Sequence, residues 1–179
     1  TLNFMLYIQN IFINQNQRTE QHKYPFLSSK VDFNENFISE YKNLWNQMIE
    51  RLSNPQCNEM GIFYEEKNLF YERLFVMNAD SLKTYNDIHT AFEVWWGSFA
   101  GRFSIERSID EPLHKLYREL AKLLNQNNAK IQRELKVSLI YEECLLANDE
   151  VSSYFAVLPI RDFFINYKEL APKLQGCFH

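Results

Sequence analysis

The sequence predicts an all-α fold: a single-domain bundle of about six or seven mostly antiparallel helices with short connections. Three observations carry that expectation. Only 4 Gly and 5 Pro occur in 179 residues, too few for sandwiches, barrels or doubly wound sheets, which need frequent turns. Apolar residues reach 46%, enough for a sizeable core in a chain near the usual size of one domain. Through most of the chain they recur at i, i+3, i+4 and i+7, the period of a helix with one buried face. The expected organisation is an N-terminal helix or strand plus a polar loop over 1–33, followed by a helical bundle over 34–179.

Phe4, Met5, Tyr7, Ile8, Ile11 and Phe12 crowd the first segment and suit a helix buried on more than one side, although periodicity alone also permits a strand. Residues 14–31 are polar and contain Pro25, Ser28 and Ser29, which predicts a loop. Phe37, Ile38, Tyr41, Leu44, Trp45, Met48, Ile49 and Leu52 form the clearest amphipathic stripe, with Asn34 or Asn36 as N-cap and a stop near Asn54-Pro55. The aromatic run from Met60 to Val76 favours a helix, but Lys67-Asn68 could turn a small hairpin over 61–76.

Asp80 or Ser81 is expected to cap a long helix carrying Leu82, Tyr85, Ile88, Phe92, Trp95, Trp96, Phe99 and Phe103. Gly97 and Gly101 inside it each cost roughly 1 kcal/mol relative to Ala, so a neighbouring helix approaching closely over them is the simplest reason for both. Asp110-Glu111-Pro112 predicts the next helix start, with Leu113, Leu116, Tyr117, Leu120, Leu123 and Leu124 as its stripe. A further helix is expected from Ala129, burying Ile131, Leu135, Leu139, Ile140 and Leu145 or Leu146, with a junction at Asn148-Asp149. A last helix, bent or split by Pro159, takes Val151, Tyr154, Phe155, Leu158, Phe163, Phe164 and Tyr167, and frays at Pro172 and Gly176.

Charge and motif content exclude several functions. Nineteen basic and 23 acidic residues give a formal charge of -4, and Lys115, Arg118 and Lys122 are interleaved with Glu111 and Glu119, so no nucleic acid partner is expected. Cys57, Cys144 and Cys177 are distant and odd in number, which argues against a disulfide framework and for a cytoplasmic location. Leu2–Ile13 is too short to span a bilayer and lacks the basic start of a signal peptide, so no membrane partner is expected.

Catalytic patterns fail one by one. His89-x-x-x-Glu93 and Glu111-x-x-His114 have metal-ligand spacing, yet Glu111 and His114 turn away from the Leu113-Leu116-Leu120 stripe. His89 is read as a half-buried histidine bonded to a carboxylate. Asn148-Asp149-x-x-Ser152 matches only part of a magnesium-binding pattern, with Ala156 where the last carboxylate belongs. No glycine-rich phosphate loop is present. No catalytic residue, metal or cofactor is therefore expected.

What remains is an aromatic content of 16%. Trp95 and Trp96 point about 100° apart on one helix, so they cannot share one narrow seam. The leading expectation is a non-catalytic regulatory or protein-interaction module using an aromatic face of Tyr85, His89, Phe92, Glu93, Trp95, Trp96, Gly97 and Gly101. Its partner would be a protein or a second copy of the chain, as in a homodimer. The first alternative is a small-molecule sensor with an apolar pocket, and the second a metal-dependent helical-bundle enzyme.

Overall fold

The computed structural model describes residues 1–16, 22–127, 131–147 and 151–178, with nothing said of the side chains at 151 and 152. The chain is mostly helical, as its glycine-poor composition implies. It forms two compact units, Thr1–Trp95 with Cys144–Asn148, and Trp96–Glu143 with Asp149–His179.

The first unit is built around α1 (Leu2–Asn16), which is helical rather than extended and buries 11 of its residues. A helix wrapped on all sides must satisfy its polar side chains locally, and those of α1 bind loops. Gln9 Oε1 accepts from the backbone N–H groups of Leu145 and Leu146 at 2.8 and 3.1 Å. Asn10 Nδ2 donates to the Tyr24 carbonyl at 2.6 Å, while Asn14 and Gln15 bond the backbone at Lys23, Pro25, Ser29 and Val31. The polar loop expected at 14–31 thus begins later, since residues 14–16 belong to α1, and it is tied to α1 at Lys23, Tyr24, Pro25, Ser29 and Val31.

Against α1 pack α2 (Phe37–Ser53), α3 (Glu59–Glu65), α4 (Lys67–Leu74) and α5 (Ala79–Gly97). The α2 stripe is buried as expected, from Phe37 through Leu52. Asn34 Oδ1 accepts from the Asn36 N–H, but Asn36 makes no capping bond with its side chain. Residues 61–76 form two short helices and not a hairpin. The one extended pairing there joins Phe75 to Phe33. The cap of α5 is Asn78, whose Oδ1 accepts from the Ser81 N–H at 2.8 Å, in place of the expected Asp80 or Ser81.

The second unit holds the end of α5, an irregular turn over Phe99–Phe103, α6 (Ser104–Ser108), α7 (Asp110–Gln126), a small sheet and α8 (Tyr167–Gln175). Two expectations are corrected here. The long helix through Phe103 stops at Gly97, and Gly101 has non-helical backbone angles, so these glycines mark an ending. Helices were also expected over 131–146 and from 151, but β1 (Lys136–Ile140), β2 (Val151–Ser152) and β3 (Phe155–Pro159) occur there.

The sheet order is β1-β3-β2, with β1 parallel and β2 antiparallel to β3. The central strand β3 is buried along its length, so its sequence reads as a continuous apolar run, which periodicity does not separate from a buried helix. Pro159 closes that strand instead of bending a helix, and Pro172 lies inside α8. Ala156 and Leu158 of β3 join Leu116, Leu120 and Leu124 of α7 and Leu170 and Leu174 of α8 in one core. The helix start and junction expected at Ala129 and Asn148-Asp149 lie outside the described residues.

Candidate functional site

Tyr85, His89 and Phe92 come together, but in the interior of the first unit. The Phe4 ring lies 6.2, 5.2 and 5.1 Å from theirs, and His89 stacks on Phe63 at 4.3 Å with an interplanar angle of 11°. Tyr85 donates its hydroxyl proton to the Lys67 carbonyl at 2.6 Å. Burial raises its pKa far beyond the ordinary phenol range. His89 is only 3% exposed, and its Nε2 has no hydrogen-bond partner among the described residues.

Burial pushes the His89 pKa down to about 4, aided by Lys67 and opposed by Glu93 and a hydrogen bond to the Phe63 backbone. The ring is therefore neutral at pH 7. The expected bond from His89 to a carboxylate is not made: Glu93 sits at the surface and accepts from the Tyr64 hydroxyl at 2.8 Å.

Trp95 is half-buried, with its ring centroid 5.9 Å from Tyr7 and 5.0 Å from Tyr24. Burial together with the neighbouring Tyr24 pushes the Tyr7 pKa up to about 12. Trp96, Gly97 and Gly101 fall in the second unit. A Cβ added at Gly97 would meet nothing within 4 Å, so the close helix approach expected over this position is absent among the described residues. Five of the eight expected residues thus belong to one unit, and three of those five are core.

The remaining candidates for metal binding stay apart. Lys115 holds the Glu111 carboxyl low through an ion pair at 2.6 Å, and His114 is exposed beside Asp110 at 3.8 Å. No group of three or more His, Cys, Asp or Glu is arranged for a metal among the described residues. No described helix is long and apolar enough to cross a membrane.

Each unit carries a surface depression. In the first, a groove of about 800 Å³ runs between the end of α1 and residues 27–35. Its lining is mostly loop residues, two of which, Ser29 and Val31, are tied down by Gln15. In the second, a groove of about 550 Å³ lies along α7, β1 and the end of α8. That volume falls in the range of small-molecule sites, roughly 300–1,000 Å³.

The α7 groove exists because α7 is apolar over more of its circumference than the core covers. Leu116, Leu120 and Leu124 are buried, whereas Leu113 is 46% and Tyr117 73% exposed. Leu135 and Val137 from β1 and its approach, with Leu174 and Phe178 from the C-terminal region, complete the apolar lining. Arg133 lies on the rim, its guanidinium 4.8 Å from the Tyr154 ring centroid and its Nη2 donating to the Ser153 carbonyl at 2.9 Å.

The platform under Arg133 is built by a tight turn. Ser153 and Tyr154 join β2 to β3, and Tyr154 takes a left-handed backbone conformation with φ 57°. A bulky residue there is strained. The Tyr154 N–H donates to the Cys177 carbonyl at 2.8 Å, its carbonyl accepts from the Lys136 N–H, its hydroxyl accepts from the Gln132 N–H, and its ring meets Phe178 edge-on.

Sequence reasoning placed Leu113 and Tyr117 in a buried stripe and gave Arg133, Val137, Leu174 and Phe178 no role. The available signal was the width of the α7 face: six apolar positions from Leu113 to Leu124 cover more arc than a single seam requires. No protein-family model, curated protein or solved structure matches the chain.

Proposed function

We propose that this chain is a non-catalytic binding module that senses a small apolar molecule, with the α7 groove of the second unit as its working surface. The observation that carries this reading is a concave site of about 550 Å³ whose mostly aliphatic and aromatic lining is joined by a few polar groups, Arg133, Glu134 and Asn125, the usual composition of ligand pockets. Two titratable groups far displaced from their ordinary values support a non-catalytic role. Tyr85 and His89 are sealed among rings, where they serve packing.

A thermal-shift experiment with the neutral probe N-phenyl-1-naphthylamine tests the reading, since a ligand bound only by the folded state raises its midpoint. Wild-type protein should show the shift. Ala121→Trp, which puts a large ring into the groove lining, should remove it while keeping the midpoint without probe. Equal shifts in both proteins would contradict the reading.

A second reading, contact with a protein or a second copy, is favoured by Phe99 and Phe103. They are 81% and 55% exposed and meet edge-on at 5.4 Å, and exposed paired rings are enriched at interfaces. Light scattering over a concentration series should show association that Phe99→Ser with Phe103→Ser abolishes. A wild-type protein that stays monomeric contradicts self-association.

A further inference from the structure

The proposal that follows rests on the sensing role assigned to the α7 groove and names the chemistry of its ligand. Among the described residues that line the groove, Arg133 is the only cation. Its contacts are the Tyr154 ring and the Ser153 carbonyl, neither of which neutralises a guanidinium. One of its five N–H donors is used by Ser153, and the fork is held in place by both contacts, so the remaining donors are organised before anything binds.

Glu134 lines the same groove and is exposed, and it makes no hydrogen bond or ion pair among the described residues. It therefore remains a solvated, movable charge, while Arg133 is a fixed one. A fixed, unneutralised guanidinium beside an aliphatic trough complements a molecule with a carboxylate at one end and hydrocarbon behind it.

We propose that the groove binds a single-chain aliphatic carboxylate. Its hydrocarbon lies against Leu113, Leu120, Leu124 and Leu174, and its carboxylate accepts hydrogen bonds from Arg133. The groove volume accommodates a medium-length chain, and the left-handed Tyr154 holds the platform that aims the guanidinium.

Displacement of N-phenyl-1-naphthylamine by dodecanoate, dodecanol and dodecylamine, each below its micelle concentration, tests this on wild type, Arg133→Gln and Arg133→Lys. Dodecanoate should displace the probe at about tenfold lower concentration than dodecanol, and dodecylamine should be the weakest. Arg133→Gln should bring acid and alcohol within about twofold, each read against that variant's own probe affinity, whereas Arg133→Lys, which keeps the charge but loses the stacked fork, should keep only part of the preference. Dodecanol equal to dodecanoate on wild type, or dodecylamine ahead of both, would overturn the carboxylate assignment while leaving the sensing role standing. Trileucine displacing better than dodecanoate would likewise overturn it, in favour of a peptide terminus. Failure of the probe to bind wild type at all would overturn both.

Discussion

His89 illustrates how one ring turns burial into a pH response. Its pKa is about 4 in the folded chain and near 6.5 when unfolded, so between these values the unfolded state holds the extra proton. The stability owed to the neutral ring is fully present above about pH 6.5 and is lost as pH falls toward 4, to a total on the order of 3 kcal/mol. The facing groups are Lys67 and Glu93, with the Tyr64 and Tyr85 phenols that stay neutral in this range. Urea unfolding at pH 7 and pH 4.5 should show His89→Phe losing markedly less stability than wild type. Parallel losses would show that the ring gains its proton without leaving the core. Sequence spacing placed His89 correctly on the edge of an apolar face. Its depth was not legible, because the covering rings Phe4 and Phe63 come from α1 and α3, far away in the chain.

At the scale of elements, α1 acts through its polar side chains as much as its apolar ones. Gln9→Leu leaves the Leu145 and Leu146 N–H groups without their acceptor and should destabilise the protein by about 2 kcal/mol, seen as a lower urea midpoint with an unchanged slope. Gly97 gives the opposite expectation. With nothing within 4 Å of its added Cβ, Gly97→Ala should be neutral or stabilising by up to about 1 kcal/mol, and a lowered melting temperature would indicate a close neighbour after all. The helices with an uninterrupted stripe, α2 and α7, were legible because local period and burial agree. The strands were not. Five consecutive buried residues in β3 carry no period, and the pairing of β3 with β1 is a long-range choice that no local window contains.

For the whole molecule, the aromatic surplus that first suggested a contact surface is largely spent indoors. Phe4, Phe63, Phe70, Tyr85 and Phe92 make a ring-on-ring interior in the first unit. Tyr85, His89 and Phe92 were therefore legible as a cluster but not as an interior one, since a helix face shows only that it is apolar and not what covers it. The α7 groove was less legible still, because it needs α7, β1 and the C-terminal region together. In the proposed function, binding takes place in that groove. Methyl-resolved NMR during titration with N-phenyl-1-naphthylamine tests it most directly: Leu113, Leu120, Leu124, Leu135 and Leu174 should shift together and saturably, while Leu6, Ile8 and Leu44 stay still. Shifts centred on Leu6, Ile8 and Leu44, or no saturable shift anywhere, would contradict it.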